Sequence, residues 1–496
     1  MVKFRWLFML GSLVCFLFVT GVNAQGSLKE AKVDTAYLMN IVRELCSKEY
    51  AGRLPGSIGY NKAASYTAGL FKKYRISPMI ETSYFQYFKV ENNEILSPLK
   101  LQLLNKDESR KEYSPGKDFV CRGFTGTGIY TRDVVFCGYG ISYPKQGFDD
   151  YANVDVKGKV VMIFKENPSW KFVIDWPPVY PRYKALIAAQ YGAVGVMLVS
   201  APKNAKSTQP IGSISIGNIT RQNMETTDIH ISNSVANDFL KQKGYTIEQL
   251  QGIIDSTKKP FSFPLDTKVY AEIHTNYTKE APTMNVLGML QGNDSVLKNE
   301  FLIIGAHLDH VGSQGDELYF PGANDNASGV AAVMQIAKLL SENKKLLKRS
   351  VIFILFSDEE HGLSGSWYYA NNPIVPLEKT VAMFNLSGVG AGDSIQVGNG
   401  TNAPVLWQMA HDIDKKTDNI MVGRTWAGGG SDASPFYDKY IPALYFVGTN
   451  GYQHLHLPSD KPETLNRDLF KKITKLAYAT AWQILTGDYQ KEKVIH

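Results

Sequence analysis

The sequence predicts an α/β fold, a mixed, largely parallel sheet covered by helices on both faces, with a β-rich segment inserted into it. Three observations carry this. The carboxy-terminal half alternates apolar runs ("FLIIGAHLD", "VIFILFSDE", "TVAMFNLS", "PALYFVGT") with amphipathic stretches such as "ASGVAAVMQIAKLLSEN". Strands that are apolar throughout belong to sheets buried on both sides. The texture changes near residue 110 to short strands broken by Gly and Pro, and changes back near residue 270. The chain has 496 residues, too many for one ordinary domain.

The elements follow in order. Lys3 and Arg5, a long apolar run and the small-residue site Val22-Asn23-Ala24 read as a secretory signal peptide over 1–24, which implies export to the periplasm or the medium. Residues 28–46 read as a helix with Leu38, Ile41, Val42 and Leu45 on one face. "AGRLPGSIG", 51–59, is a Gly/Pro loop, and a second helix carries Ala63, Thr67, Leu70, Phe71 and Tyr74 on one side. Strand-like segments run to about residue 105. The insertion, 111–270, contains the strands "TRDVVFCGYGIS" and "KGKVVMIF", the proline-rich loop "WPPVYPR", and a helix passing through glycine into a strand in "YKALIAAQYGAVGVMLVS". The main domain is then 25–110 joined to 271–496.

Composition narrows the function. Hydrophobic residues make up 44% and charged residues 20%, the balance of a folded chain. The net charge of +6 includes the two leader cations, and no dense basic tract points to nucleic acid. Beyond the leader no run is long and apolar enough to span a bilayer. Three cysteines remain after it, Cys46, Cys121 and Cys137. Cys121 and Cys137 are either bridged across a hairpin or buried as thiols, and none has zinc spacing.

The chemistry-bearing residues stand at predicted strand ends, where sheets of this kind bind ligands. "GAHLDHVG" places His307 there, with Asp309 two residues on to orient it. "GANDNASGV" places Asp325 in a glycine-rich loop before a helix, where a capping carboxylate is the ordinary reading. "SDEEHGLSGS" sets Glu359 and Glu360 directly after six apolar residues, an unusual place for a solvated loop. "HLHLPSD" supplies His456. Singly, each is commonplace. Together, His, Asp, Glu and His form a nitrogen and oxygen donor set suited to zinc. The adjacent glutamates then divide the work. Glu360 is a ligand, and Glu359, held off the metal, is the base that takes a proton from the attacking water.

With these motifs in view, the sequence resembles the zinc-dependent exopeptidase family of bacterial leucyl-type aminopeptidases, glutamate carboxypeptidases and glutaminyl cyclases. The resemblance extends to "GGSDASPF" with "YIPA" after it, and to the amino-terminal "SKEYAGRLPGSIGYNKAASYTAGLFKKY". The β-rich insertion resembles a protease-associated domain. The resemblance implies a catalytic domain over 25–110 and 271–496, peptide substrates, and two zinc ions bridged by Asp325. Glu360 and His456 would complete one zinc site; His307 and a further aspartate would complete the other. Glu359 would be the base and Asp309 the support of His307.

Two positions depart from the pattern. The further aspartate is Ser387 in "FNLSGVGAG", so one zinc is expected to bind firmly and a second weakly, unless Asp393 folds back as a substitute. The tyrosine that often precedes the last histidine is Leu455, with Tyr452 nearby as a replacement. An aminopeptidase is therefore the leading expectation, and a single-zinc glutaminyl cyclase or an inactive binding homologue are the alternatives.

Overall fold

Alternation of side chains explains why the central strands are apolar throughout. In the strand Ser350–Phe356, Val351, Phe353 and Leu355 enter one hydrophobic core, while Ile352, Ile354 and Phe356 enter another on the opposite face. Phe301–His307 repeats the arrangement, with Leu302, Ile304 and Ala306 on one side and Ile303 on the other. The larger core is covered by the helices Thr35–Leu45, Ser328–Glu342 and Arg467–Thr486, and the smaller by Ser364–Asn371 and Ser434–Asp438. The structure is a computed structural model, and it describes residues 32–170, 180–205, 209–212, 224–316 and 318–495. The signal-peptide reading of 1–24 and most of "WPPVYPR" lie outside these residues.

Four strands run parallel in the order Ala443–Gly448, Thr380–Leu386, Phe301–His307, Ser350–Phe356. Antiparallel strands flank them, Ile395–Gly398 at one end and the long Ser262–Leu290 at the other. The sheet is therefore mixed and largely parallel, as expected. Ser262–Leu290 is 29 residues long and continues outward, pairing with Phe85–Leu104 and Gly128–Cys137. It thereby joins the insertion to the main sheet. Within the insertion Gly128–Cys137, Val160–Phe164, Gly195–Val199 and Thr227–Ile231 are parallel neighbours, with helices Pro181–Gln190, Asn233–Leu240 and Ile247–Thr257 beside them. The insertion is thus richer in helix than its sequence texture suggests. The core at this end runs from Ile95 to Ile273 and so takes in Leu101, Leu103 and Ala271 from outside the expected 111–270.

The first helix is shorter than the expected 28–46. It spans Thr35–Leu45 because Asp34 caps it, its carboxylate accepting the Ala36 and Tyr37 amides, and residues 32–34 are not helical. The second spans Ile58–Lys73, capped by the Ser57 hydroxyl. Cys46, Cys121 and Cys137 are all unbridged and buried, which settles the choice left open between bridge and thiols.

Ile304 is fully buried at the centre of the sheet, three residues before His307. Ile304→Ala should lower stability by about 2–5 kcal/mol, the usual range for such a cavity. A denaturant midpoint unchanged from the parent would contradict the assigned packing.

Candidate metal centre at the ends of the parallel strands

The four parallel strands end on one side of the sheet, and the loops leaving them carry the candidate residues. His307 closes its strand, Glu359 and Glu360 follow Phe356, Ser387 follows Leu386, and His456 lies in the loop after Gly448. Asp325 sits in the turn that starts the helix Ser328–Glu342. His307, Asp325 and Glu360 are buried, and the His456 side chain is 16% exposed.

Asp325 stands between the two histidines. Its Oδ1 is 3.3 Å from His307 Nε2 and its Oδ2 is 3.3 Å from His456 Nε2. Glu360 Oε2 lies 2.8 Å from the same His456 nitrogen. The adjacent glutamates Glu359 and Glu360 turn to different partners. Glu360 turns to His456, whereas Glu359 Oε1 accepts a hydrogen bond from the Ser431 hydroxyl at 2.7 Å. Asp309 is completely buried beside His307, with its backbone carbonyl 3.2 Å from His307 Nδ1 and its carboxylate 3.7 Å away. That carboxylate accepts the Glu359 and Glu360 amides at 3.2 and 3.3 Å. Asp309 therefore braces the glutamate turn as well as standing beside His307.

Burial and charge together reveal what the cluster requires. Burial opposes ionisation of Glu360, and so does the neighbouring Asp325 charge. The imidazoles of His456 and His310 outweigh both and hold its carboxyl down at about 2. Burial also disfavours a charged His456, but Glu360 and Asp325 raise it to about 10. Asp325 is held well below the usual carboxylate range by His307 and His456 despite its burial. Glu359 differs, because burial pushes it up to about 8 and the carboxylates around it add to the rise. The cluster thus stabilises positive charge between Asp325, Glu360 and His456, while Glu359 favours holding a proton. These donor types at these separations fit a zinc ion.

Several site residues were not legible in the sequence. His310 is completely buried, with Nδ1 2.8 Å from Glu360 Oε1. Arg53, in the loop "AGRLPGSIG", is also fully buried. Its guanidinium donates to four carbonyls, those of Leu308 (2.8 Å), Leu45 (2.7 Å), Pro321 (2.7 Å) and Gly322 (3.0 Å). One side chain thereby ties the loop after His307 to the loop before Asp325. Gly52 permits this approach, since a Cβ there would stand 2.0 Å from the Gly312 carbonyl oxygen. The Asp325 turn is braced further. Asp460 accepts the Asn324 and Asp325 amides at 2.9 and 3.1 Å, and Asn326 donates to the Leu386 carbonyl at 3.0 Å. Asp460 had a signal in "HLPSD", whereas Arg53 had only a turn-like context.

The departures from the family pattern are also placed. Ser387 Oγ is 3.4 Å from His307 Nε2, so the serine occupies the site but brings no carboxylate. Asp393 is no substitute, since its carboxylate takes hydrogen bonds from Thr449 and Asn450. Tyr452 reaches the same side, its hydroxyl 2.9 Å from that of Tyr445, while Leu455 is 39% exposed. The insertion meets the site as well. The Gly212 amide donates to the His456 carbonyl at 2.9 Å.

Comparison with known proteins places part of the chain beside a peptidase family. Residues 285–481 match the model of Peptidase family M28. It is 25% identical over 232 residues to Aminopeptidase YwaD of Bacillus subtilis, covering 45% of this chain and 48% of that protein. It is 38% identical over 172 residues to the probable leucine aminopeptidase 2 of Trichophyton verrucosum, covering 32% of each. The chain spans no more than about half the length of these curated relatives. Two solved structures share the fold over nearly the whole chain. The aminopeptidase from Aneurinibacillus sp. strain AM-1 has a TM-score of 0.62 at 20% identity, covering 94% of this chain and 96% of that one. The zinc aminopeptidase of Bacillus subtilis has a TM-score of 0.63 at 18% identity, covering 94% and 99%.

Arg53→Met would leave four buried carbonyls without their donor. A stability loss of about 3 kcal/mol or more is expected, since each abandoned buried group costs about 1–3 kcal/mol. Zinc retention on dialysis should fall with it. A variant that unfolds and holds metal like the parent would show that the two loops keep their places without this clamp.

Proposed function

We propose that this chain is an exported zinc-dependent aminopeptidase that removes amino-terminal residues from peptides. The observation that carries the reading is the division of labour between neighbouring glutamates, with Glu360 set against His456 and Asp325 while Glu359 is held apart by Ser431. The names of the M28 relatives support the reaction class. Export rests on the leader-like pattern over 1–24. Among the described residues no helix is long and apolar enough to cross a membrane.

In this proposal Asp325, Glu360 and His456 hold zinc firmly, and His307 with Asp325 offers a weaker second place. Zinc, when bound, makes water acidic near neutral pH and polarises a carbonyl. The remaining work belongs to the side chains. Glu359 accepts the proton of the attacking water and returns it to the leaving amine, so one carboxylate serves both halves of the hydrolysis. Ser431 fixes the orientation of that carboxylate. The Tyr452 hydroxyl, on the Ser387 side of the site, is the donor proposed for the developing oxyanion. The insertion, read as a protease-associated-like domain over 111–270, would limit entry to short peptides, since its Gly212 adjoins the His456 loop.

Glu359→Gln removes the proton acceptor and keeps every proposed ligand. Turnover on amino-terminal chromogenic peptides should fall by about 10²–10⁴, with zinc content unchanged. Loss of the metal would reassign Glu359 as a ligand. A zinc-loaded parent that cleaves no peptide would favour a binding role, and one that only cyclises amino-terminal glutamine would favour a cyclase. Ser387→Asp should raise tightly held zinc from about one to about two per chain, because it restores a carboxylate of the kind zinc accepts. Two tight ions in the unaltered protein would overturn this account of Ser387.

A further inference from the structure

His310 lies outside the ligand set implied by the family resemblance, and the mechanism above gives it no role. Its position nevertheless mirrors that of His456. His310 Nδ1 is 2.8 Å from Glu360 Oε1, and His456 Nε2 is 2.8 Å from Glu360 Oε2. Both rings also face Asp325 Oδ2, at 3.7 and 3.3 Å. One donor atom from each of His310, Asp325, Glu360 and His456 lies within 4.8 Å of all the others. Donors that share one tetrahedral zinc at about 2.0–2.2 Å each stand about 3.3–3.6 Å apart. His310 matches His456 in its 2.8 Å approach to Glu360 and stands slightly farther from Asp325, 3.7 Å against 3.3 Å.

The chain also makes room for this ring and fixes it. The His310 amide donates to the Arg53 carbonyl at 3.2 Å, which anchors the backbone to the buried clamp. Gly322 lies against the imidazole, and a Cβ there would stand 2.6 Å from the ring. The ring is completely buried, so water cannot compete for Nδ1.

We propose that His310 Nδ1 is an additional zinc ligand, so that the firm site of this chain is made by His310, Asp325, Glu360 and His456. This offers a physical counterpart to Ser387. The His307 side has lost an anionic ligand, and the His456 side has gained an imidazole, so a single ion is drawn to the His456 side. The inference rests on the zinc reading above but not on peptide hydrolysis.

The test is zinc K-edge X-ray absorption on the full-length protein loaded with one equivalent of zinc, which counts imidazoles around the metal. Two are expected, and one overturns the proposal. His310→Asn supplies the second arm, because its side-chain amide can still donate to Glu360 from the Nδ1 position but its nitrogen lone pair is delocalised into the carbonyl and does not bind zinc. In this variant the imidazole count should fall to one. Zinc affinity should drop by more than the 10–100-fold typical of a lost supporting hydrogen bond. Parental affinity in His310→Asn would show that His310 only hydrogen-bonds Glu360, and overturns the proposal. Peptide hydrolysis is measured separately. An inert protein with two imidazoles on its zinc would defeat the peptidase reading alone, an active one with a single imidazole would defeat this inference alone, and a parent that retains no zinc overturns both.

Discussion

Asp325, Glu360 and Glu359 bring three carboxylates to one buried place, and their mutual repulsion is the constraint that the surrounding structure has to meet. Two unit charges about 4 Å apart interact by about 4 kcal/mol at the effective dielectric of a protein. Such a cluster persists only with positive charge between the carboxylates and rigid backbone beneath them. The structure separates the three electrostatically. Asp325 and Glu360 face imidazoles and stay ionised, and Glu359 is pushed toward its protonated form. This makes one glutamate a natural cation ligand and its neighbour a natural proton carrier, although they are adjacent in sequence.

Rigidity comes largely from groups that hold the backbone beneath the candidate donors. Arg53 ties two strand-end loops through carbonyls alone, and Asp460 holds the Asp325 turn through amides. Asp309 does the same beneath the glutamates. These are backbone contacts, so they fix where the ligand side chains start without competing for the cation. The parallel strands supply the rest. Burial on both faces leaves only their carboxyl ends free to carry polar groups, and this is why the site forms there.

The fold was legible because its signal is repetitive. Two-faced apolar strands separated by the helix Ser328–Glu342 leave few architectures open. The candidate residues His307, Asp325, Glu360 and His456 were legible because each follows a strand or opens a helix in a recognisable motif. His310 was not. It follows Asp309 in the same motif, but side-chain alternation on a regular strand would turn it away from His307's face, and only the loop geometry after the strand brings it back to Glu360. Arg53 was illegible for a different reason. Its partners are carbonyls at residues 45, 308, 321 and 322, and carbonyls leave no trace in sequence. The first helix was overestimated because its apolar face was read without giving Asp34 its capping role.

Ser387 and His310 are best understood together, as a shift in where the chain concentrates its donors. Aspartate at 387 would place a third carboxylate beside His307, after Asp325 and Asp309, and that added charge would demand its own cation. Serine removes that demand, and its hydroxyl rests 3.4 Å from His307 Nε2 without adding charge. On the other side, Glu360 has an imidazole at each of its oxygens. Asp325, shared between the two sides, must then lean energetically toward the side with more donors. Such an asymmetry leaves His307 with one shared carboxylate, Asp325, and a neutral hydroxyl at its Nε2.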